Sequence, residues 1–123
     1  MTILSHAFAP LSESLQRAVF IDGRFQPSGG APLPVTDKAT GEVLGHAAIA
    51  TSVDIDRAVT GAASAQRDWY RTPATERAAI LRRGGEILTR EAARFKDVLV
   101  REGGATGPKA EGEIAASVIE FYQ

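Results

Sequence analysis

The spacing of apolar residues changes at Thr51, and this change does most to limit the folds open to the chain. Before Thr51, short apolar runs are separated by turn residues, as in half-buried strands. After it, apolar residues recur about every 3.6 positions, which is typical of amphipathic helices. The sequence therefore predicts an α/β fold in which an N-terminal β-hairpin precedes three or four α-helices. We expect residues 1–17 to form a weakly ordered lead-in and residues 18–123 to form the folded part.

The first predicted hairpin lies in "VFIDGRF". Its Asp22-Gly23 dipeptide tolerates positive φ at both central positions of a tight turn, so the stretch predicts strand, turn, strand. The run from Pro27 to Pro34 is dense in glycine and proline and predicts a loop.

A second reversal is predicted in "VTDKATGEVLG", residues 35–45. Asp37 can accept hydrogen bonds from backbone amides two or so residues ahead, and Gly41 can take the left-handed conformation that closes the turn. The only acid here that could act as a catalyst is Glu42. We interpret Asp37, Thr40 and Gly41 as turn chemistry, followed by a strand in "EVLGHAAIA".

Helix boundaries are marked by capping residues. "TSVD" places a hydroxyl at Thr51 and an acid three residues later, which is the capping-box pattern with Asp54 in place of glutamate. Thr72 is predicted to cap a second helix whose first residue is Pro73. A third helix is predicted to stop at Gly103-Gly104, and Pro108 to open a fourth.

Each predicted helix carries an apolar face. The members are Ile55, Ala58, Val59, Ala62, Gln66 and Trp69 in the first helix, Ile80, Leu81, Gly84, Ile87 and Leu88 in the second, Ala92, Phe95, Val98 and Leu99 in the third, and Ile114, Ala115, Val118, Ile119 and Tyr122 in the fourth. Gly84-Gly85 inside a helix costs on the order of 1 kcal/mol per glycine, so we expect another backbone to pack closely there. Because the fourth face is in mid-period at Gln123, the chain is expected to be cut there and to self-associate as a homo-oligomer through that face. The alternative is that the fourth helix folds back over Gly84-Gly85 and covers its own face, which would leave a monomer.

Composition excludes several classes of function. Fourteen basic and fifteen acidic residues give a net charge of -1, so we expect no nucleic-acid or membrane partner. The sequence contains no cysteine, which excludes a disulfide scaffold, a thiolate zinc site and a cysteine nucleophile within these residues. The first ten residues lack a basic segment followed by a long apolar run, so a cytoplasmic location is expected.

No catalytic, cofactor-binding or metal-binding residue is predicted in this chain. "GGATGPK", residues 103–109, lacks the Gly-Lys-Ser/Thr ending and the preceding strand of a phosphate loop, so it is interpreted as a joint between helices. His6 and His46 stand forty residues apart without a carboxylate or thiolate cluster. The second helix carries charged residues on or beside its polar face, and the near-zero net charge favours a solvated face there over an anion site; these residues are Arg77, Arg82, Arg83, Glu86 and Arg90. The spacing of the glutamates marks no pair as general acid and base; they are Glu76, Glu86, Glu91, Glu102, Glu111 and Glu113. Trp69 is interpreted as a core or interface anchor.

In order and spacing, five segments resemble the N-terminal stretch of the NAD(P)-dependent aldehyde dehydrogenases, from about Val19 to Gln123. They are "FIDGRF", "VTDKATGEVLG", "ATSVDIDRAVTGAASAQRDW", "TPATERAAILRRGGEILTREAARFKDVLVREGG" and "KAEGEI". The tryptophan after the first helix and the "ER..IL" pattern at Glu76, Arg77, Ile80 and Leu81 are the more specific marks. "REGGATGPKAEGEI" is closer to the branch that oxidises aromatic aldehydes such as benzaldehyde and vanillin.

The resemblance implies a parent protein of several hundred residues, of which these residues would be the helix-rich N-terminal portion of a Rossmann-type cofactor domain. In that family a cysteine attacks the aldehyde, hydride passes to NAD or NADP, and water assisted by a glutamate releases the acid. All these groups lie beyond the matched region, so the chain alone is expected to bind no cofactor and to be inactive. Two alternatives stay open: a non-enzymatic oligomerisation or binding module derived from the family, and part of a related acylating or semialdehyde dehydrogenase.

Overall fold

The computed structural model describes residues 16–123, and these residues form an α/β arrangement of four strands and four helices. The strands are β1 (Ala18–Ile21), β2 (Arg24–Pro27), β3 (Leu33–Thr36) and β4 (Val43–Ala47), and the helices are α1 (Ser52–Arg71), α2 (Ala74–Arg90), α3 (Ala92–Arg101) and α4 (Gly107–Glu120). The change from strands to helices at Thr51 is confirmed. Of the predicted lead-in, residues 1–15 lie outside the described residues.

The strands form two separate antiparallel hairpins, β1–β2 and β3–β4. The turn of the first is the predicted one, since Asp22 has φ 53° and Gly23 has φ 73°. Directly opposite each other on this hairpin, the rings of Phe20 and Phe25 meet edge to face with centroids 5.0 Å apart. The predicted loop is shorter than expected, because Pro27 belongs to β2 and residues 33–34 belong to β3.

The capping box of α1 is confirmed. The Thr51 hydroxyl accepts a hydrogen bond from the Asp54 amide, and Asp54 Oδ2 accepts one from the Thr51 amide at 2.9 Å. The predicted role of Thr72 is wrong: its hydroxyl donates to the Asp68 carbonyl at 2.9 Å and so closes α1, while Pro73 takes the N-cap position of α2. A residue that precedes proline is forced into extended backbone, as Thr72 is here (ψ 129°). Pro73 is extended as well (ψ 141°), so α2 begins at Ala74, one residue after the predicted start.

Close packing at Gly84-Gly85 is confirmed, although the neighbours are side chains and not a backbone. A Cβ added to Gly84 would lie 2.9 Å from the Phe121 ring, and one added to Gly85 would lie 2.9 Å from the Tyr122 ring. The two glycines therefore let the C-terminal end of α4 lie against α2. The predicted helix stop is also confirmed: Gly104 has φ 71°, its amide donates to the Val100 carbonyl, and the next amide donates to Leu99.

The buried apolar core of the described residues is small, with Ile21, Ala110 and Ile114 as its members. Ile114 of the predicted α4 face is covered, whereas Ile119 and Tyr122 are 58% and 48% exposed. The predicted α1 face is not buried here, because α1 packs mainly against β1 and leaves Ile55 and Val59 more than half exposed.

Candidate functional site

The turn in "VTDKATGEVLG" is built around Asp37, which is 6% exposed. Asp37 Oδ1 accepts hydrogen bonds from the amides of Ala39 and Thr40 at 2.9 and 3.2 Å, as the sequence predicted. Gly41, at φ 76°, donates its amide to the Asp37 carbonyl. Glu42 is exposed at the end of the turn, where its amide donates to the Thr40 hydroxyl and its carbonyl accepts from the Asp37 amide at 2.9 Å. The turn chemistry predicted for Asp37, Thr40 and Gly41 is therefore confirmed.

The sequence did not predict the partner of Asp37 across the molecule. Arg101 Nε, at the C-terminal end of α3, donates to Asp37 Oδ2 at 2.8 Å, and the Arg101 carbonyl accepts from the Lys38 amide at 2.8 Å. The hydrogen bond from Arg101, together with those from the Ala39 and Thr40 amides, lowers the pKa of Asp37. The lowered pKa makes this carboxylate a weaker base than an ordinary aspartate, and its bond to Arg101 fastens the turn to α3.

A second buried acid is Asp54, which lies in the first turn of α1. Its Oδ2 accepts from the Thr51 amide and hydroxyl and from the Ser28 hydroxyl, the last at 2.9 Å. Bonds from the Thr51 amide and hydroxyl, and then from Ser28, lower the pKa of Asp54. The Ser28 hydroxyl also lies within hydrogen-bond distance of the Ile49 carbonyl, so Ser28 links the start of α1 to the segment that follows β4.

The other sequence candidates do not converge on a site. Residues 103–106 form the connection between α3 and α4, with the positive φ of Gly104 serving the helix end. His46 is exposed on β4, and His6 lies outside the described residues. Within residues 16–123 no group of three or more His, Asp or Glu side chains could hold a metal ion. None of the helices described is both long and apolar enough to cross a membrane.

The predicted solvated face of α2 is confirmed for Arg82, Arg83, Glu86 and Arg90, all of which are exposed. Arg77 differs, because it is half-buried and its guanidinium lies over the Trp69 ring, 6.0 Å from the ring centroid. The sequence predicted Trp69 as a core or interface anchor and Arg77 as part of a solvated face. It did not predict their contact, because Thr72 and Pro73 separate the two helices.

Trp69 and Arg77 belong to an open cleft of about 370 Å³, hereafter the Trp69 cleft, between α2 and the C-terminal end of α4. Its remaining lining comprises Ala74, Ala78, Leu81, Arg82, Glu120, Phe121, Tyr122 and Gln123. Trp69 is 41% exposed, so it contributes to this surface and is not a core residue. The cleft combines aromatic walls with two arginines and one carboxylate, that of Glu120.

Comparison with known proteins decides the family. Residues 25–123 match the aldehyde dehydrogenase family. The chain belongs to this family. The resemblance read from the five sequence segments is thereby confirmed.

Three similar proteins show how much of this family the chain represents. It is 39% identical to the vanillin dehydrogenase of Amycolatopsis sp. and 42% identical to the N-succinylglutamate 5-semialdehyde dehydrogenase 2 of Caulobacter vibrioides, covering 82% and 80% of this chain but 21% and 20% of those proteins. The crystal structure of a NAD-dependent benzaldehyde dehydrogenase from Corynebacterium glutamicum superposes with a TM-score of 0.83 and 26% identity, over 94% of this chain and 25% of that one. The chain thus spans about a fifth of the length of the curated relatives it matches.

Proposed function

We propose that these residues are the N-terminal part of an NAD(P)-dependent aldehyde dehydrogenase, which oxidises an aldehyde to the carboxylic acid. The observation that carries the proposal is the superposition on the benzaldehyde dehydrogenase, which includes almost all of this chain and a quarter of the neighbour. The two antiparallel hairpins and four helices described here supply scaffold to that larger fold. The reacting groups belong to the remainder.

The proposed substrate is an aromatic aldehyde. The relatives named for vanillin and benzaldehyde and the structural neighbour named for benzaldehyde support this class. The N-succinylglutamate semialdehyde relative, which is at least as similar in sequence, supports an aliphatic semialdehyde as the alternative. Assays of the longer protein with benzaldehyde and with an aliphatic semialdehyde separate the two classes.

NAD or NADP is the proposed cofactor of the parent, where the nicotinamide accepts the hydride that leaves the substrate. No residue of this chain is assigned to it, because residues 16–123 contain no parallel sheet followed by a glycine-rich phosphate loop. The nucleophile is likewise assigned to the parent, since the sequence has no cysteine.

The test has two arms. The coding sequence beyond Gln123 should encode a cysteine and a glutamate, and the protein it encodes should reduce NAD or NADP when benzaldehyde is added. Purified residues 1–123 should give no such reduction above a buffer blank. A longer protein with both residues that oxidises no aldehyde would refute the proposed activity, and turnover by residues 1–123 alone would refute the assignment of the chemistry to the remainder.

A second candidate function is self-association, which the exposed end of α4 favours. Ile119 and Tyr122 are 58% and 48% exposed, and a fully buried side chain of this size contributes roughly 1.5–3 kcal/mol. Light scattering at tens of micromolar should then give an oligomer that Ile119→Glu dissociates. Val53→Glu is the matched control, since Val53 is 63% exposed at the far end of α1. A monomeric mass, unchanged by Ile119→Glu, would contradict this candidate.

A further inference from the structure

The Trp69 cleft has the chemistry of a small-molecule site. Three aromatic side chains, Trp69, Phe121 and Tyr122, line it and are each between one third and one half exposed. Gly84 and Gly85 leave room for the two C-terminal rings against α2, because a Cβ at either position would come within 2.9 Å of a ring. The cleft therefore offers flat apolar surface on two sides at a size suited to a single ring.

Two guanidinium groups face the same cleft. Within residues 16–123, the side chains of Arg77 and Arg82 form no ion pair and no hydrogen bond, although Glu120 also lines the cleft. The Arg77 guanidinium carbon lies 6.0 Å from the centroid of the Trp69 ring, at the outer limit of a cation–π contact. A guanidinium has planar donors that match a carboxylate.

We propose that the Trp69 cleft binds a small aromatic carboxylate, with its ring against Trp69, Phe121 and Tyr122 and its carboxylate on Arg77 and Arg82. The aromatic walls select the ring and the two unpaired cations select the negative charge. An acid of this class is also what oxidation of an aromatic aldehyde produces. Binding here requires none of the catalytic activity proposed above, so the two proposals can fail separately.

Trp69 is the single tryptophan of the chain, so its fluorescence reports on this cleft alone. Titration of residues 1–123 with benzoate should change the emission saturably, with a Kd in the millimolar range. Arg82→Gln should weaken benzoate binding about fivefold or more, because a charge-assisted bond is lost. Arg83→Gln is the matched control, since Arg83 is the next residue on α2, is exposed and does not line the cleft. It should leave the Kd unchanged.

Two neutral or non-aromatic probes sharpen the test. Benzamide, which lacks the charge, and acetate, which lacks the ring, should each bind at least about fivefold more weakly than benzoate. The shift of the Trp69 indole N–H in a two-dimensional NMR spectrum provides a second readout that does not depend on quenching. Linear, unsaturable changes, equal effects of benzoate and benzamide, or equal Kd values for Arg82→Gln and Arg83→Gln would each overturn the proposal.

Discussion

The hairpin region, residues 18–54, and the helical region, residues 74–122, are held together by different kinds of contact. In the hairpin region the most buried side chains include two acids, Asp37 and Asp54, each surrounded by hydrogen-bond donors. In the helical region Ala110 and Ile114 are buried and aromatic rings lie on two glycines. The first region is thus fixed by directional polar bonds, and the second by shape.

Hydrogen bonds of Arg101 link the two regions. Arg101, at the end of α3, binds the Asp37 carboxylate through its guanidinium and the Lys38 amide through its carbonyl. Because one residue makes both bonds, the orientation of the second hairpin is fixed relative to α3. The comparison predicts that substitutions in one region disturb their own contacts first and reach the other through this link.

The largest effect is expected for Gly30→Ala in the hairpin region. A Cβ at Gly30 would run into the backbone carbonyl of Ile49, with the carbonyl carbon 2.9 Å away. A backbone group cannot rotate aside as a side chain can, so we expect the free energy of unfolding to fall by about 3 kcal/mol in urea denaturation. Gly29→Ala is the control, because its Cβ would meet only Thr51 Cγ2 at an ordinary 3.5 Å. Equal midpoints for the two variants would contradict the close approach.

The next effect tests the shape of the helical region with two adjacent glycines. A Cβ on Gly85 would lie 3.0 Å from Phe121 Cβ, close to the backbone at the end of α4, whereas the nearest atoms to one on Gly84 would all belong to the Phe121 ring, with Cε1 at 2.9 Å. Overpacking should exceed the gain in helix propensity at Gly85, so Gly85→Ala should destabilise by about 1–2 kcal/mol.

Gly84→Ala is the comparison, and it should be near neutral, since the ring can turn and alanine favours the helix by up to about 1 kcal/mol. Urea denaturation of both variants gives the difference. If Gly84→Ala costs as much as Gly85→Ala, the ring of Phe121 is held as rigidly as the helix backbone.

The sequence predicted contacts between residues that are close together in the chain, and missed contacts between residues that are far apart. The Asp22-Gly23 turn, the Asp37 turn and the Thr51–Asp54 capping box involve residues at most five apart, and all three are confirmed. Gly84-Gly85 correctly predicted close packing, but the prediction that the neighbour is a backbone is wrong, since a pair of rings lies there. The bond from Arg101 to Asp37 spans 64 residues and left no local signal.

The candidate site was harder to predict than the fold. Trp69 and Arg77 are brought together only by the reversal at Thr72 and Pro73, where the sequence indicated a helix break but not its angle. For the α1 face, the sequence predicted burial that the described residues do not show. An amphipathic pattern predicts that a face is covered but does not indicate which element covers it. Ile55 and Val59 remain open in the described residues.

A smaller effect, confined to acid, is expected from the two buried carboxylates. Bonds from Arg101 to Asp37 and from Thr51 to Asp54 lower both pKa values in the folded chain. Their stabilisation is therefore complete above the pKa of an unfolded aspartate, and is lost as the pH falls below about 4 toward the folded values. Thermal unfolding should show a midpoint that drops by a few degrees over this range.

Asp54→Asn should remove part of that acid dependence while lowering the midpoint at neutral pH. Asp56→Asn, two residues away on the exposed side of α1, is the control and should keep the wild-type profile. Amide exchange by NMR should show the hairpin region opening before α2–α4 as the pH falls. Simultaneous loss of protection in both regions would mean that the Arg101 link makes them one cooperative unit.

The smallest expected effect is a gain, from Gly112→Ala in α4. Nothing lies within 4 Å of a Cβ added there, and the residue is exposed, so the substitution adds helix propensity without a clash. We expect about 0.5–1 kcal/mol of added stability in urea denaturation. Gly61→Ala makes the same change in α1, but its Cβ would press on the Asp22 carboxylate at the hairpin turn, with Asp22 Cγ 3.0 Å away. It should therefore destabilise despite the same propensity gain. If both variants stabilise equally, the turn of the first hairpin does not contact α1 in solution. The contrast between the tightly constrained hairpin region and the helical region would then be wrong at this position.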